Sequence, residues 1–262
     1  MLRPRIIPCL LVRNGGLVKT VRFGTSKYVG DPLNTVRIFN EKEVDELAVF
    51  DIDASVESRE PDYRLIEHLA VECRMPLCYG GGVKTVEQIQ RIVGLGVEKI
   101  AISAAAVANP GIVREAALRV GSQSIVVVID VRRRGWLQKN EVVTHNGKRA
   151  TGLAPVEFAV KCEGLGAGEI VINSVDRDGT MKGYDLEVVR GVREATSLPI
   201  TAVGGAGSHA DLASLIGEFG IIGAGAGSLF VFKGKYRAVL VNYPTHEEKE
   251  AIARNAAGHS RP

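Results

Sequence analysis

The sequence predicts a single (β/α)₈ barrel, the TIM-barrel fold class, with two-fold internal duplication. Eight short apolar runs alternate with helix-like segments along 262 residues, and roughly 250 residues is the typical size of this fold. Glycine-rich turns recur at matching positions in the two halves of the chain. In such barrels the functional groups lie on the loops that follow the strands, so we expect the site there.

The eight apolar runs are the predicted strands, and capping residues mark helix starts between them. Proline follows Asp31, Asn109 and Ala154, and proline is favoured at the first helical position. Residues 85–88 have the spacing of a capping box, and Ser208 is predicted to cap a further helix. The strand runs are residues 6–12, 46–52, 75–79, 99–103, 124–130, 169–174, 199–203 and 221–226.

The chain is expected to form one domain over residues 1–262, with half-barrels at about 1–120 and 121–235 and a divergent tail at 236–262. The turn at residues 80–82 corresponds to residues 204–206, and at the same offset Ser103-Ala104 corresponds to Gly227-Ser228. A repeat of this kind indicates duplication, which predicts two similar sites, one in each half.

Composition argues against several classes of protein. Net charge is +3, from 33 basic and 30 acidic residues, and 45% of residues are hydrophobic. This balance favours neither a nucleic-acid-binding nor a membrane protein, and no apolar window approaches the ~20 residues of a membrane span. The four cysteines lack metal-ligand spacing and are interpreted as reduced core thiols of a cytoplasmic protein. We expect no metal and no cofactor.

Two predicted loops are long. Residues 13–30 contain Gly15, Gly16 and Lys19, a pattern interpreted as a mobile flap. Residues 131–152 are predicted to form a small hairpin around residues 136–144. The arginine run at 132–134 within it is typical of a solvated face, with ligand binding as the alternative.

Glycine-rich turns follow several strands and are candidate phosphate sites. Gly80-Gly81-Gly82, Gly204-Gly205-Ala206-Gly207 and Ala226-Gly227-Ser228 each precede a predicted helix. Exposed backbone N–H groups at a helix start bind anions, although glycine is also needed for tight turns. Because such turns occur in both halves, the sequence predicts a two-ended, doubly phosphorylated ligand.

Six aspartates fall at or just beyond strand ends: Asp51, Asp53, Asp130, Asp176, Asp178 and Asp185. Asp53 and Asp185 are predicted to cap the helices that follow them. Asp130 ends an uninterrupted apolar strand, where an ionised group needs a partner or a function. We therefore interpret Asp130 as a general base, and Asp178 as a residue that holds substrate hydroxyls.

Charged residues also occur at the opposite end of the strands. Alternate residues of a strand share a face, and this places Arg5, Glu46, Lys99 and Glu169 in one layer at the amino-terminal end of the barrel if those faces line the interior. On the pattern alone, ordinary surface ion pairs are favoured over a functional cluster.

With these residues in place, the chain resembles the cyclase subunit HisF of imidazole glycerol phosphate synthase from residue 3 to about residue 232. The family is a (β/α)₈ barrel that receives ammonia from a HisH-type glutaminase subunit, as a heterodimer, and converts a phosphorylated small molecule at the mouth. The motifs that carry the resemblance are Arg5-Ile-Ile-Pro-Cys, Gly30-Asp-Pro, Asp45-Glu-Leu, Gly80-Gly-Gly, Ser103-Ala-Ala-Ala-Val, Gly121-Ser-Gln, Gly166-Ala-Gly-Glu, Asp176-Arg-Asp-Gly-Thr, Gly183-Tyr-Asp and Gly204-Gly-Ala-Gly.

The resemblance implies a role for each matching residue. Arg5, Glu46, Lys99 and Glu169 match the ammonia gate, and Glu98 matches a position that couples to the partner subunit. Asp130 matches one of the two catalytic aspartates, Leu11 replaces the other, and Lys19 matches a flexible-loop lysine. Phosphate- or substrate-binding positions are Asp51, Gly82, Ser103, Ala104, Asn173, Asp178, Gly179, Gly205, Gly227 and Ser228.

Several positions depart from the family pattern. The family has Asn-Ser or Asn-Thr after the fourth strand, where this chain has Ser103-Ala104. The family's usual histidine after the eighth strand is replaced by Val231, and the tail from residue 233 differs from the family's usual ending. Leucine cannot carry a proton, so Leu11 argues against histidine-pathway cyclisation. The combination resembles a paralogous branch associated with glycosyl amidation, in which an acetamido group of a surface-polysaccharide sugar becomes an acetamidino group.

Four interpretations follow from the sequence. The first is an ammonia-channelling synthase subunit of a glutamine amidotransferase with a diverged acceptor. The second is a working imidazole glycerol phosphate cyclase in which water, Asp178 or Asp51 substitutes for Leu11. The third is a non-catalytic barrel that activates the glutaminase, and the fourth is a related sugar-phosphate isomerase, which has no need of the gate charges.

Overall fold

The barrel wall consists of eight parallel strands in a computed structural model that describes residues 3–136 and 138–259. The wall strands are β1 (Arg5–Arg13), β4 (Leu47–Asp51), β5 (Leu77–Gly80), β6 (Lys99–Ile102), β7 (Ile125–Arg134), β10 (Glu169–Ser174), β11 (Ile200–Val203) and β12 (Gly223–Ala226). Each pairs with its neighbours, and β12 pairs with β1 to close the ring. This confirms the predicted (β/α)₈ barrel.

Helices separate the wall strands and pack against their outer face. They are α1 (Pro32–Glu41), α2 (Tyr63–Glu72), α3 (Val86–Gly94), α4 (Ala104–Ala108), α5 (Gly111–Val120), α6 (Pro155–Gly164), α7 (Leu186–Ala195), α8 (His209–Phe219), α9 (Ser228–Val231) and α10 (His246–His259), with a 3₁₀ turn at Ser122–Ser124. The larger hydrophobic core lies between strands and helices and includes Leu10, Val49 and Ile100.

The predicted helix starts are largely confirmed. The Asp31 carboxylate accepts a hydrogen bond from the Asn34 backbone at the start of α1, and residues 85–88 form the expected capping box. Ser208 caps α8 through a second capping box with Asp211. Helix α5 begins one residue later than predicted, at Gly111, with Pro110 at the N-cap position.

A smaller cluster fills the barrel interior. Its members are small and medium-sized apolar side chains on the inward face of six strands: Ile7, Cys9, Ala48, Cys78, Ala101, Val126 and Val171. The inward faces are the ones expected from strand parity. Because these side chains are modest in size, the interior keeps space between the bottom of the barrel and its mouth.

The segment at residues 13–30, predicted to be a mobile flap, has regular structure. It forms two strands, β2 (Gly16–Thr20) and β3 (Ser26–Gly30), and β2 pairs antiparallel with the end of β1. Leu17 and Lys19 lie almost wholly buried. The segment is therefore a β-hairpin that covers one side of the mouth. Its alternation of buried and exposed side chains lets it extend the sheet from β1.

The other long loop forms the expected hairpin. Strand β7 continues past Asp130 to Arg134 and pairs with β8 (Lys139–Thr144), which pairs with β9 (Arg149–Ala150). Residue 137 of this predicted hairpin lies outside the described residues. Among the described residues, no helix is long and apolar enough to cross a membrane.

The tail after residue 236 returns to the barrel. A short strand pair, β13 (Phe232–Lys233) and β14 (Ala238–Val239), leads to the buried Tyr243. The Tyr243 hydroxyl donates to the Ile6 carbonyl at 2.8 Å, and Lys249 of α10 pairs with Asp45 at 2.9 Å. The tail is thus anchored beside the strands that carry Arg5 and Glu46. Residues 260–262 of the predicted tail are not described.

Candidate active site

A pocket of about 160 Å³ opens at the carboxyl ends of the strands. All eight wall strands contribute a lining residue, among them Leu11 from β1 and Asp130 from β7. Three strands separate β1 from β7 in either direction around the ring. Leu11 and Asp130 therefore face the pocket from opposite sides, as duplicated half-barrels would place them.

Asp130 is the carboxylate best suited to proton transfer. Burial raises its pKa to about 6, a rise that hydrogen bonds from Asn173 and Ser103 oppose and the nearby Asp178 charge reinforces. Asn173 Nδ2 donates to Asp130 Oδ1 at 2.8 Å, and Ser103 Oγ donates to Oδ2 at 3.4 Å. A carboxyl with a pKa near 6 exchanges protons readily at neutral pH.

Leu11 lies at the end of β1, where its backbone pairs with Val18 of the hairpin and Phe50 of β4. It is half-buried and lines the pocket. An aliphatic side chain neither donates nor accepts a proton, so the β1 side of the pocket has no acid or base at this position.

Lys19 and Asp178 join the hairpin to the loop after β10. Lys19 Nζ lies 2.7 Å from Asp178 Oδ1, and Thr20 donates to Asp178 Oδ2 at 2.9 Å. Both charged side chains are nearly buried. Gly179 has φ +69°, and a Cβ there would lie 2.2 Å from the Thr20 carbonyl oxygen. Only glycine allows this close approach of the two loops.

The remaining glycine positions also lie at the mouth, on tight turns. Gly82 and Gly205 both have positive φ, and a Cβ on either would collide with backbone. As predicted, the glycines at residues 80–82 precede a capped helix, α3, which begins at Val86 after the Thr85 cap. The glycines are required because the turns pass close to the neighbouring loops.

Ser228 differs from the other polar residues of the mouth. Its side chain is buried, it lines the pocket beside Gly227, and its Oγ has no hydrogen-bond partner among the described residues. Asn173 Oδ1 is unpartnered in the same way. Ala104 also lines the pocket but offers no side-chain polar group.

The other strand-end aspartates are held in place by neighbouring groups. Asp51 accepts backbone hydrogen bonds from Asp53 and Ala54 and pairs with Arg59 at 3.2 Å. The prediction that Asp53 caps a helix is wrong, because it pairs with Arg13 at 2.8 Å and α2 is capped by Asp62 instead.

Asp185 and the arginine run are placed as follows. Asp185 occupies the N-cap position of α7 but makes no side-chain capping bond; its carboxylate accepts from Ser174 at 3.4 Å. Arg133 and Arg134 pair with Glu187 and Glu141, so their charges are engaged on the protein surface. Asp176 accepts from the Arg133 backbone at 2.8 Å.

At the opposite end of the barrel, the four predicted charges form a closed ring. Arg5 bonds to Glu46 and lies 2.8 Å from Glu169. Lys99 Nζ lies 2.8 Å from Glu46 and 2.9 Å from Glu169. The expectation of separate surface ion pairs is therefore wrong, because both glutamates are about 5% exposed and each contacts both cations.

The ring keeps its charges. Burial alone would raise the pKa of Glu169, but Arg5 and Lys99 outweigh it and the pKa is lowered. Burial likewise would lower the pKa of Lys99, but the two glutamates outweigh it and the pKa is raised. Thr201 also donates to Glu169 at 2.5 Å. Glu169 and Lys99 are thus ionised at neutral pH.

A small cavity of about 10 Å³ lies directly above the ring. Glu46 and Glu169 line its lower end, and Cys9, Phe50, Val171 and Val203 line both this cavity and the mouth pocket. A volume of this size holds about one water molecule. The four shared residues form the boundary between the two spaces.

Comparison of the sequence with known proteins shows the family of this chain. Residues 5–237 match the family described as "Histidine biosynthesis protein". A Leptospira interrogans protein named "Putative imidazole glycerol phosphate synthase subunit HisF" is 56% identical over 252 residues, which cover 96% of this chain and 99% of that protein. The chain belongs to the HisF family.

Two further HisF-family relatives carry numbered subunit names. A Vibrio vulnificus protein, "Putative imidazole glycerol phosphate synthase subunit hisF3", is 56% identical over 250 residues, covering 95% of this chain and 96% of that protein. A Pseudomonas aeruginosa protein with the corresponding name "hisF2" is 51% identical over 244 residues, covering 93% and 97%.

Several contacts of this HisF-family site were not predicted. Thr201 sits on the inward face of β11, and the strand parity that found Glu169 could have found it. Arg59, which holds Asp51, and His145 and Asn146, which line the pocket, come from loops whose course no periodicity indicates. Glu98 is exposed and accepts a hydrogen bond from the Leu77 backbone at 2.9 Å.

The cysteines fit their predicted structural role. Cys9, Cys78 and Cys162 are buried and all four are free thiols. Burial raises the pKa of Cys9 to about 12 and also raises the pKa of Cys78 well above its ordinary value. No group of three or more potential metal ligands occurs within residues 3–136 and 138–259.

Proposed function

We propose that this HisF-family chain is the synthase subunit of a two-component glutamine amidotransferase with a diverged acceptor. It receives ammonia from a HisH-type glutaminase subunit and adds it to a phosphate-bearing molecule, in the formation of an acetamidino sugar of a surface polysaccharide. One observation carries the proposal: the four-charge ring is complete, whereas Leu11 occupies the place of an acid or base at the mouth.

The ring of Arg5, Glu46, Lys99 and Glu169 is the proposed ammonia gate. A buried cluster that only stabilised the fold could be replaced by apolar residues at little cost, so its retention supports a function. Glu98 precedes Lys99 in the chain and is exposed, which suits the proposed contact with the partner subunit in a heterodimer.

The interior cavity is the proposed route for ammonia. Ammonia is close to water in size, and the cavity of about 10 Å³ holds about one such molecule. The boundary residues Cys9, Phe50, Val171 and Val203 carry no charge, so neutral ammonia passes them more easily than ammonium does.

At the mouth, Asp130 is the proposed proton carrier. Conversion of an acetamido to an acetamidino group replaces the carbonyl oxygen by the ammonia nitrogen and releases water, so two protons pass from that nitrogen to the departing oxygen, one as ammonia adds to the carbonyl carbon and one as the C–O bond breaks. The pKa of about 6 allows Asp130 to take each proton from the nitrogen and give it to the oxygen in turn. Lys19, with Asp178, Gly179, Gly205, Gly227 and Ser228, supplies the proposed phosphate contacts.

Imidazole glycerol phosphate cyclisation is the second candidate function. It is favoured by the names of the relatives and by the ionisable Asp130 facing the pocket. It requires a substitute for Leu11, and the two carboxylates nearest in kind, Asp51 and Asp178, are already paired with Arg59 and Lys19. We therefore place it second.

We also propose a cytoplasmic location, because the free thiols suit a reducing compartment. We propose in addition that the barrel divides into two half-barrels, at about residues 1–120 and 121–235.

The function is tested in a bacterium that makes an acetamidino polysaccharide and whose own copy of this subunit gene is deleted. We expect this chain to restore the acetamidino group, detected by mass spectrometry of the polysaccharide, and Asp130→Asn to fail at the same protein level. Restoration by Asp130→Asn would instead support a barrel that only activates the glutaminase.

A further inference from the structure

Positive charge is concentrated around the pocket entrance. The three long mouth segments, residues 13–30, 131–153 and 227–239, contain thirteen lysines and arginines and a single acidic residue, Glu141. The whole chain has a net charge of only +3, so the rest of the molecule is net acidic. A surface of one sign beside a pocket attracts ligands of the opposite sign.

Two of these loops meet and form one surface. Lys27 donates to the Arg237 carbonyl at 3.1 Å, and Arg237 donates to the Gly179 carbonyl at 3.2 Å. Gly179 lines the pocket, so this surface continues directly from the mouth. We call it the basic rim and define it as Arg22, Lys27, Tyr28, Lys233, Lys235, Tyr236 and Arg237.

The five cations of the basic rim are available to a ligand. The ion pairs of the described residues use other cations, such as Arg13 with Asp53 and Lys19 with Asp178. The recorded side-chain hydrogen bonds of Arg22, Lys27 and Arg237 go to backbone carbonyls. Their charge is therefore not neutralised by carboxylates within residues 3–136 and 138–259.

The basic rim also carries two exposed tyrosines. Tyr28 is 65% exposed and Tyr236 is 83% exposed. Each is adjacent in sequence to one partner of the Lys27–Arg237 contact, so both belong to the same surface. Exposed aromatic rings among cations stack on nucleic-acid bases while the cations bind phosphate.

Ser228 supplies an independent indication of a ligand at the adjoining part of the pocket. Its Oγ is buried without a partner among the described residues, and an unpaired buried hydroxyl costs free energy unless a ligand pairs with it. Ser228 follows Gly227, against which the Lys19 side chain packs.

We propose that the basic rim binds the diphosphate and base of a nucleoside-diphosphate-linked acceptor, while the sugar enters the pocket toward Asp130. The assignment of the bound molecule as acceptor rests on the proposed function; the binding site itself does not. The negative charges of a diphosphate are complementary to the cations of the basic rim, and a base can stack on the exposed rings of Tyr28 and Tyr236.

The test is isothermal titration calorimetry of the full chain with uridine diphosphate at low ionic strength. We expect saturable binding that weakens as salt is added. Tyr236→Ala should weaken the binding of uridine diphosphate about fivefold or more, from lost stacking, and leave the binding of inorganic pyrophosphate unchanged. Lys235→Ala, at an exposed position, should weaken both.

Matched controls lie on the same face of the barrel. Trp136→Ala removes an exposed aromatic ring and Lys84→Ala an exposed cation, and neither should change binding. Absence of saturable binding, an unchanged affinity in Tyr236→Ala, or binding of anionic phospholipid vesicles in place of the nucleotide would overturn the inference. Nucleotide binding by a chain that fails to restore amidation would reject the proposed function alone.

Discussion

At the scale of single residues, Asp130 links stability to chemistry. Because burial raises its pKa from an ordinary value of 3.8 to about 6, the folded protein favours the protonated form. Its contribution to stability is therefore fully present below about pH 3.8 and is lost as the pH rises through 6.

Asp130→Asn removes this pH-dependent cost, since asparagine stays neutral and can still accept the Asn173 hydrogen bond. We expect the variant to be more stable than the wild type by about 1–3 kcal/mol at pH 8, and by much less at pH 4. Urea unfolding at both pH values measures the difference. Equal stability at pH 8 would show that the carboxyl is not desolvated.

The residues of the four-charge ring give the opposite result at the same scale. Glu46→Gln leaves Arg5 and Lys99 with one carboxylate between them, and uncompensated buried charge costs about 3 kcal/mol or more. We expect a fall in the free energy of unfolding of this order at pH 7. Glu218→Gln, in the exposed pair with Arg190, is the matched control and should cost about 1 kcal/mol at most.

Sequence patterns predicted the positions of residues that follow from the two-residue periodicity of a strand alone. Strand parity placed Arg5, Glu46, Lys99 and Glu169 in one layer, and the structure joins them in a ring. Strand parity could not show whether Asp53 caps a helix or forms an ion pair, because an aspartate at a strand end can do either. Its partner, Arg13, is distant in the sequence.

At the scale of elements, the hairpin of β2 and β3 depends on one glycine. Gly179→Ala would place a Cβ 2.2 Å from the Thr20 carbonyl oxygen, at a positive φ. We expect the hairpin to move away, with the loss of about 1–3 kcal/mol of stability and faster amide hydrogen exchange over residues 16–30.

Gly152→Ala separates collision from backbone strain, because Gly152 has a similar φ of +74° but no atom within 4 Å of its Cβ position. It should cost less stability and leave exchange in the hairpin unchanged. If both variants protected the hairpin equally, the contact between Gly179 and Thr20 would not hold it in place.

The elements also show where periodicity stops being informative. The eight barrel strands were predicted within a few residues, because buried parallel strands are continuous apolar runs. The strands of the hairpin over the mouth were not predicted within the flap segment, since its glycines and exposed residues hide the alternation of Leu17 and Lys19. The ion pair of Lys19 joins the hairpin to Asp178, far away in the sequence.

At the scale of the whole molecule, the two ends of the barrel carry different groups. The bottom has a four-charge ring beneath a small cavity, and the mouth has Asp130 with Leu11 on the opposite side. In the proposed function, ammonia delivery and acceptor chemistry are separate requirements, so the mouth can differ from that of a cyclase while the ring stays complete. The surrounding basic rim fits a larger anionic acceptor.

The most direct test is complementation of a bacterial histidine auxotroph that lacks its cyclase. This chain is expressed with a HisH-type glutaminase, the proposed partner; its level is checked by immunoblot, and the host's own HisF is the positive control. We predict no growth without histidine, because Leu11 cannot carry the second proton. Growth of the auxotroph would contradict the diverged-acceptor account and establish histidine-pathway cyclisation.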